Sequence, residues 1–441
     1  MRSPILNRAP GIRAAGALAL VAGCLLTPRP AAAEVTLVKS DPWEVYTAGR
    51  VNAFIGYAFG DSTPVAMNGA ALKGGGFDTA SDTIPVIDPA TNMRDPAQAG
   101  TIRKMRVRSG FVPNVLSIGV RRKMGGDTTL RAQLSLWGTI ETSGQRKFVA
   151  VQTDFREGFL EADGPWGTFT AGRFGSLFSR GVTETDFLYG HGYGVGFWGG
   201  GNSLQNPGPT AGLIGFGVLA NSFSPGLMYT TPNLGGFRAA LGIFDPVNVA
   251  GSWETSRTAR PEGELTYDLG AQASFFKLHL YVNGAFQKVY DLDNHDESVR
   301  GVGGGLRTEL GHFHFGVGGH YGKGLGLYYA LEGSLADTPE GSKPFRTADG
   351  FSLFAQYVLG HVDLNAALGQ SRIHLTADDQ TPEHLLAVRP IRTQTGISAG
   401  VVYHVNESLH LDLDYLRAQF RWYGGYKQDV NYINTGVTLT W

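Results

Sequence analysis

Asn431-Tyr-Ile-Asn-Thr-Gly-Val-Thr-Leu-Thr-Trp441 closes the chain. Ile433, Val437, Leu439 and Trp441 share one parity; Asn434, Gly436, Thr438 and Thr440 share the other. Successive side chains of a strand point to opposite faces, so this stretch is one strand with an apolar face and a small polar face. In a soluble sheet it would be a final half-buried strand. Together with an export signal and many similar strands it reads as the closing strand of a transmembrane β-barrel.

The export signal occupies the opposite end. Arg2, Arg8 and Arg13 form a basic start, Ala14 to Leu26 is an apolar run, and Ala31-Ala32-Ala33 precedes Glu34. This is the layout of a signal peptide spanning residues 1–33, cut after Ala33. Val21-Ala22-Gly23-Cys24 allows a second reading, lipidation at Cys24. Cys24 is the only cysteine, so cleavage after Ala33 excludes disulfides and thiol chemistry from the mature chain.

Of 441 residues, 63 are Gly and only 17% are charged. No stretch after the signal reaches the roughly 18 consecutive apolar residues of a spanning helix. A chain without such helices can cross lipid only as a closed barrel, because open sheet edges stay unsatisfied there. The signal holds four arginines and no acid, so its removal takes the formal net charge from −1 to −5. That balance carries no basic footprint for nucleic acid.

Alternating segments recur at about 45–59, 107–122, 128–142, 148–162, 168–175, 223–231, 237–244, 260–274, 278–291, 298–309, 312–322, 348–359, 361–374, 391–405, 409–422 and 428–441. Tight turns at Gly125-Gly-Asp127, Gly164-Pro-Trp-Gly167, Pro232-Asn-Leu-Gly-Gly236, Phe276-Lys277, Leu310-Gly311, Gly360 and Asn406-Glu-Ser408 alternate with longer loops. The fold class expected is all-β: an antiparallel barrel of about 16 strands over residues 34–441, with short turns on one side. Leu130, Ala132, Leu134, Leu136 and Ile140 give one strand a lipid face, and Arg131, Gln133, Ser135 and Thr139 a lumen face. A β-sandwich produces the same alternation, but usually with fewer strands. Trp43 with Tyr46, Phe420 with Trp422 and Tyr423, and Tyr328 with Tyr329 are expected in interfacial girdles.

The longest unpatterned interval, 176–222, holds Glu184-Thr-Asp-Phe-Leu-Tyr-Gly190 and many aromatics, a composition suited to packing. His312, His314 and His320 are read as lumen-facing polar residues and not as a metal site, since no acid or Cys completes the set. The glycines of Gly301-Val-Gly-Gly-Gly305 are read as allowing close backbone approach, not phosphate binding.

Four segments resemble the sixteen-stranded general porins of Gram-negative outer membranes. Tyr46-Thr-Ala-Gly-Arg50 resembles their first-strand segment, with Arg50 at the basic lumen position. Trp166-Gly-Thr-Phe-Thr-Ala-Gly-Arg173 resembles the fifth-strand segment whose arginine lines the constriction. Thr185-Asp186-Phe187-Leu188 resembles the start of the constriction loop, whose acid faces the arginines. The last is the C-terminal strand, which here ends in Trp441 where the family usually has Phe. Two departures stand beside these. Tyr189-Gly190-His191-Gly192 replaces the usual Pro-Glu-Phe-Gly-Gly run, so the second constriction acid is missing unless Glu184 substitutes for it; Ser117 stands where the second strand usually carries Arg.

The resemblance implies a water-filled outer-membrane channel for small hydrophilic solutes and ions, not an enzyme, with no cofactor or metal. Arg50, Arg131 and Arg173 are the candidate basic wall; Glu184 and Asp186 are the candidate acids on loop 176–222. Such an arrangement sets a transverse field across a narrow wet passage. Implied partners are outer-membrane lipid and lipopolysaccharide, two further copies in a homotrimer, and the barrel-assembly machinery recognising the strand that ends in Trp441. A substrate-selective channel is the second reading, and would need an aromatic slide or a dense basic ladder. A barrel protease or phospholipase is the third.

Overall fold

The computed structural model describes residues 34–65, 71–73, 83–95, 97–110, 114–138, 140, 153–187, 196–198, 207–210, 213–247, 256–270, 275–290, 296–327, 331, 344–381 and 388–441. The proposed signal, 1–33, lies outside them. Among the described residues no helix is long and apolar enough to cross a membrane. Strands do so instead.

Sixteen strands form the barrel. They are β1 Trp43–Asp61, β2 in two pieces, Thr101–Arg108 and Asn114–Lys123, β3 Thr129–Gly138, β4 Thr153–Gly164 and β5 Gly167–Gly175. Then come β6 Phe223–Thr230, β7 Phe237–Phe244, β8 Arg260–Leu269, β9 Phe276–Tyr290, β10 Glu297–Leu310 and β11 Phe313–Lys323. The last five are β12 Thr347–Leu359, β13 Val362–His374, β14 Val388–His404, β15 Leu409–Trp422 and β16 Lys427–Thr440. Each pairs antiparallel with the next, and β16 pairs with β1 from Arg50↔Thr440 to Gly60↔Val430, which closes the barrel. Closure leaves no edge of the ring unpaired, as lipid demands.

Burial follows the predicted parity. On β15, Leu409, Leu411, Leu413 and Tyr415 point outward, and His410, Asp412, Asp414 and Leu416 are buried inward. At this end of the strand the pattern is the inverse of a soluble core: polar groups line the inside, and apolar groups meet the bilayer.

Several expectations change. Strand β9 begins at Phe276, so Phe276 and Lys277 are paired with β10 and do not form the turn. A further strand, Val35–Ser40, makes a hairpin with the start of β1 and lies end to end with β16 along the same edge. Its six residues are all exposed, so no alternation signals it. Trp43 is exposed and stacked by Arg122 at 5.1 Å, as a girdle residue is. Tyr46, Phe420 and Trp422 are instead buried inside the barrel. Parity decides this: Trp422 shares the inward row of β15 with His410. Tyr328 and Tyr329 lie outside the described residues. Outward aromatic pairs do stand at the short-turn end, where Phe237 packs on Tyr267 at 4.4 Å and Phe313 on Tyr357 at 4.5 Å.

The apolar core sits within the barrel. Loop 176–222 places Phe178, Val182, Phe187, Leu213, Phe216 and Leu219 there, against Tyr281, Phe354, Phe420 and Trp422 of the wall. Glycine makes the approach possible. A Cβ at Gly396 would lie 2.9 Å from the Phe216 Cβ, and one at Gly318 would lie 2.6 Å from Val182 Cγ2. Gly316, Gly318, Gly369 and Gly396 are thus spaces for the loop, and the close-approach reading of Gly301–Gly305 holds for the loop at Gly301, where a Cβ would meet Phe178.

Candidate functional site

Loop 176–222 leaves β5 and turns at once into a short helix, α1, Arg180–Thr185. Six residues without apolar periodicity hold a helix here because the wall holds them. The Phe178 N–H donates to Glu262 Oε2 at 2.7 Å, and Arg180 is ion-paired with Glu264, both on β8. Arg307 of β10 donates to the Glu184 carbonyl at 3.2 Å and stacks on Phe187 at 4.6 Å. Gln394 Nε2 of β14 donates to the Gly215 carbonyl at 2.7 Å, and the Gly217 N–H to Ser371 Oγ of β13 at 2.8 Å. The two described ends of the loop, 176–187 and 213–222, therefore line the inside of strands β8 to β15.

Glu184, near the end of α1, has its carboxylate 4.0 Å from Arg180 Nε, one turn back. Burial pushes its carboxyl up to about 7; Arg180 opposes the shift and Glu264 adds to it. Asp186 is the residue that ends α1, buried, with its N–H donating to the Thr183 carbonyl at 3.3 Å.

The three arginines stand on β1, β3 and β5. Arg50 is buried, in register with Thr440, and within electrostatic reach of His410 and Asp412. Arg131 Nη2 pairs with Glu161 Oε1 across the β3–β4 ladder at 3.1 Å and lies over Phe159 at 5.1 Å. Arg173 Nη1 lies 3.7 Å from Asp154 Oδ1. Glu184 thus meets the β8–β10 side of the wall, and Arg131 and Arg173 carry wall carboxylates of their own.

Sequence reasoning did not single out the groups that hold the loop: Arg180, Glu262, Glu264 and Arg307. Parity alone offered a signal, since Arg260, Glu262 and Glu264 form an unbroken inward row of charge on β8. Ser117, the departure on β2, shares a hydrogen bond with Ser135 at 2.8 Å, a neutral patch where the resemblance implies a cation. Tyr189 to Gly192 lie outside the described residues. His314 bonds Gln356 at 2.7 Å and His320 is buried beneath the loop, while His312 sits in a turn. Among the described residues no group of three or more His, Cys, Asp or Glu side chains is arranged to hold a metal.

A sequence profile described as Gram-negative porin matches residues 16–439. The chain belongs to the Gram-negative porin family. The porin's fold is similar to the outer membrane channel DcaP of Acinetobacter baumannii, at 14% identity and TM-score 0.61, covering 92% of this chain and 100% of that one. It is also similar to an anion-selective porin from Comamonas acidovorans, at 13% identity and TM-score 0.57, covering 90% and 100%. Salmonella typhi OmpF, solved in complex with daunomycin, aligns at 12% identity and TM-score 0.53, covering 93% and 100%. No curated protein matches the chain. The porin is a channel of the Gram-negative outer membrane, with its sixteen strands in the bilayer.

Proposed function

We propose that the porin passes small hydrophilic solutes and ions by passive diffusion, and that loop 176–222 sets the narrowest part of the path. The observation that carries this reading is the seating of the loop along β8 to β15, through Arg180–Glu264, Arg307–Glu184 and Gln394–Gly215. Glu184 and Asp186 supply the acidic side of the passage, and Arg50, Arg131 and Arg173 the basic side. Glu161 and Asp154 offset two of those cations, which favours a weak transverse field and weak ion preference.

Single-channel conductance and reversal potentials test the reading. Ion flux proportional to concentration and liposome swelling that falls smoothly with sugar size are expected; saturation by one solute class would favour a selective channel. Residues 1–33 act as the export signal in this proposal, and the mature barrel is a homotrimer contacting lipopolysaccharide. The strand ending in Trp441 is the element recognised by the assembly machinery. Crosslinking in outer-membrane fragments tests the trimer, and N-terminal sequencing of the mature chain tests cleavage after Ala33 against lipidation at Cys24.

A further inference from the structure

We propose that the lumen wall carries a divalent transition-metal site built on His404 and His410, suited to zinc and similar imidazole-seeking cations. The two histidines face each other directly across the β14–β15 hairpin, in register. Their Nδ1 atoms are 2.8 Å apart and their rings are perpendicular, at 87°. Asp363 of β13 lies 2.9 Å from the other ring nitrogen of His404. A carboxylate only accepts, so His404 donates from Nε2 and is held with Nδ1 turned toward His410.

Two nitrogens facing at this distance hold one proton between them. A metal ion is the other occupant that geometry admits. Zinc–imidazole bonds of about 2.0–2.1 Å in a tetrahedral arrangement separate two nitrogens by about 3.3 Å, so an opening of about half an ångström suffices. The displaced proton passes to His410 Nε2 or to water. A histidine whose far nitrogen donates to a carboxylate is the usual outer-shell arrangement of a metal ligand. Water in the lumen completes the coordination.

The charges around the pair are mixed. Asp363 on β13 and Asp412 on β15 favour a cation, Arg50 on β1 opposes it, and His361 contacts the His404 carbonyl at 3.1 Å. His410, Asp412 and Asp414 all lie on the inward row, so an ion reaches the pair from the water-filled path. A bound dication there adds positive charge beside Arg50 and reduces cation flow.

The test uses the full-length porin in planar bilayers with zinc chloride as the probe. Zinc added to the wild-type channel is expected to lower conductance and shift the reversal potential toward anions, reversibly on adding a chelator. The effect should weaken on acidification, as protons compete with zinc for the two imidazoles. H404Q/H410Q should conduct without zinc as the wild type does and lose the zinc response. D363N should weaken zinc affinity by about 10- to 100-fold. A wild-type channel indifferent to zinc, or an unchanged zinc response in H404Q/H410Q with normal heat-modifiable folding, would overturn the proposal.

Discussion

Glu184 changes its charge across the pH range near neutrality. Its carboxyl is raised from the ordinary 4.5 to about 7, first by burial, so it is neutral below about pH 7 and negative above. Cation preference should therefore rise between about pH 6 and pH 8, and Glu184→Gln should flatten that rise, read as reversal potential against pH. Asp186→Asn should lower cation preference, most at low salt. One charge about 8 Å from the ion path is worth about 0.5 kcal/mol in water, about a two-fold change in permeability ratio. Arg173→Ser should shift preference toward cations, because it removes a positive charge and unmasks Asp154. Unchanged reversal potentials in both Asp186→Asn and Arg173→Ser would remove loop 176–222 from the constriction and leave the barrel untouched. The residue types of this site were readable from the sequence, but their pairings were not. Nothing in Arg131 or Glu161 taken singly shows that they meet at 3.1 Å, since that depends on the β3–β4 register.

At the scale of elements, loop 176–222 behaves as a second layer inside the barrel, pinned at α1 and at Phe216. Arg180→Ala leaves Glu264 buried without its ion partner, a loss of about 3–5 kcal/mol for a buried pair. Phe216→Ala removes a buried ring packed against Phe420 at 5.8 Å, also worth about 3–5 kcal/mol. Both should loosen the loop without opening the barrel. The expected signs are noisier single-channel currents and faster proteolysis within the loop, with heat-modifiable mobility retained. Currents as quiet as wild type in both variants would show that these anchors do not hold the loop. The sixteen barrel strands were legible because a lipid face opposite a wet face imposes a period of two on each. Helix α1 and strand Val35–Ser40 were not: each is six residues long and takes its shape from the strand it lies against.

For the whole molecule, closure is the decisive event. Gly49 and Trp441 exchange two backbone hydrogen bonds, at 2.7 and 3.0 Å, at the seam where the C-terminus meets β1. Deleting Trp441 should cut the amount of folded barrel in the outer membrane several-fold, measured by heat-modifiable mobility; wild-type levels would detach the terminal residue from assembly. The sequence alone determined the bilayer-spanning antiparallel barrel and the alternation of its strands, with a count of about sixteen that the closed ring then settled. Backbone groups in lipid must pair within a closed sheet, and a lipid face opposite a wet face imposes alternation on every strand of it. The tertiary structure alone decided which charges meet: Arg180 with Glu264, Arg131 with Glu161, His404 with His410. Alternation tells which face a side chain takes, but strand register and the path of an inward loop decide what stands opposite it.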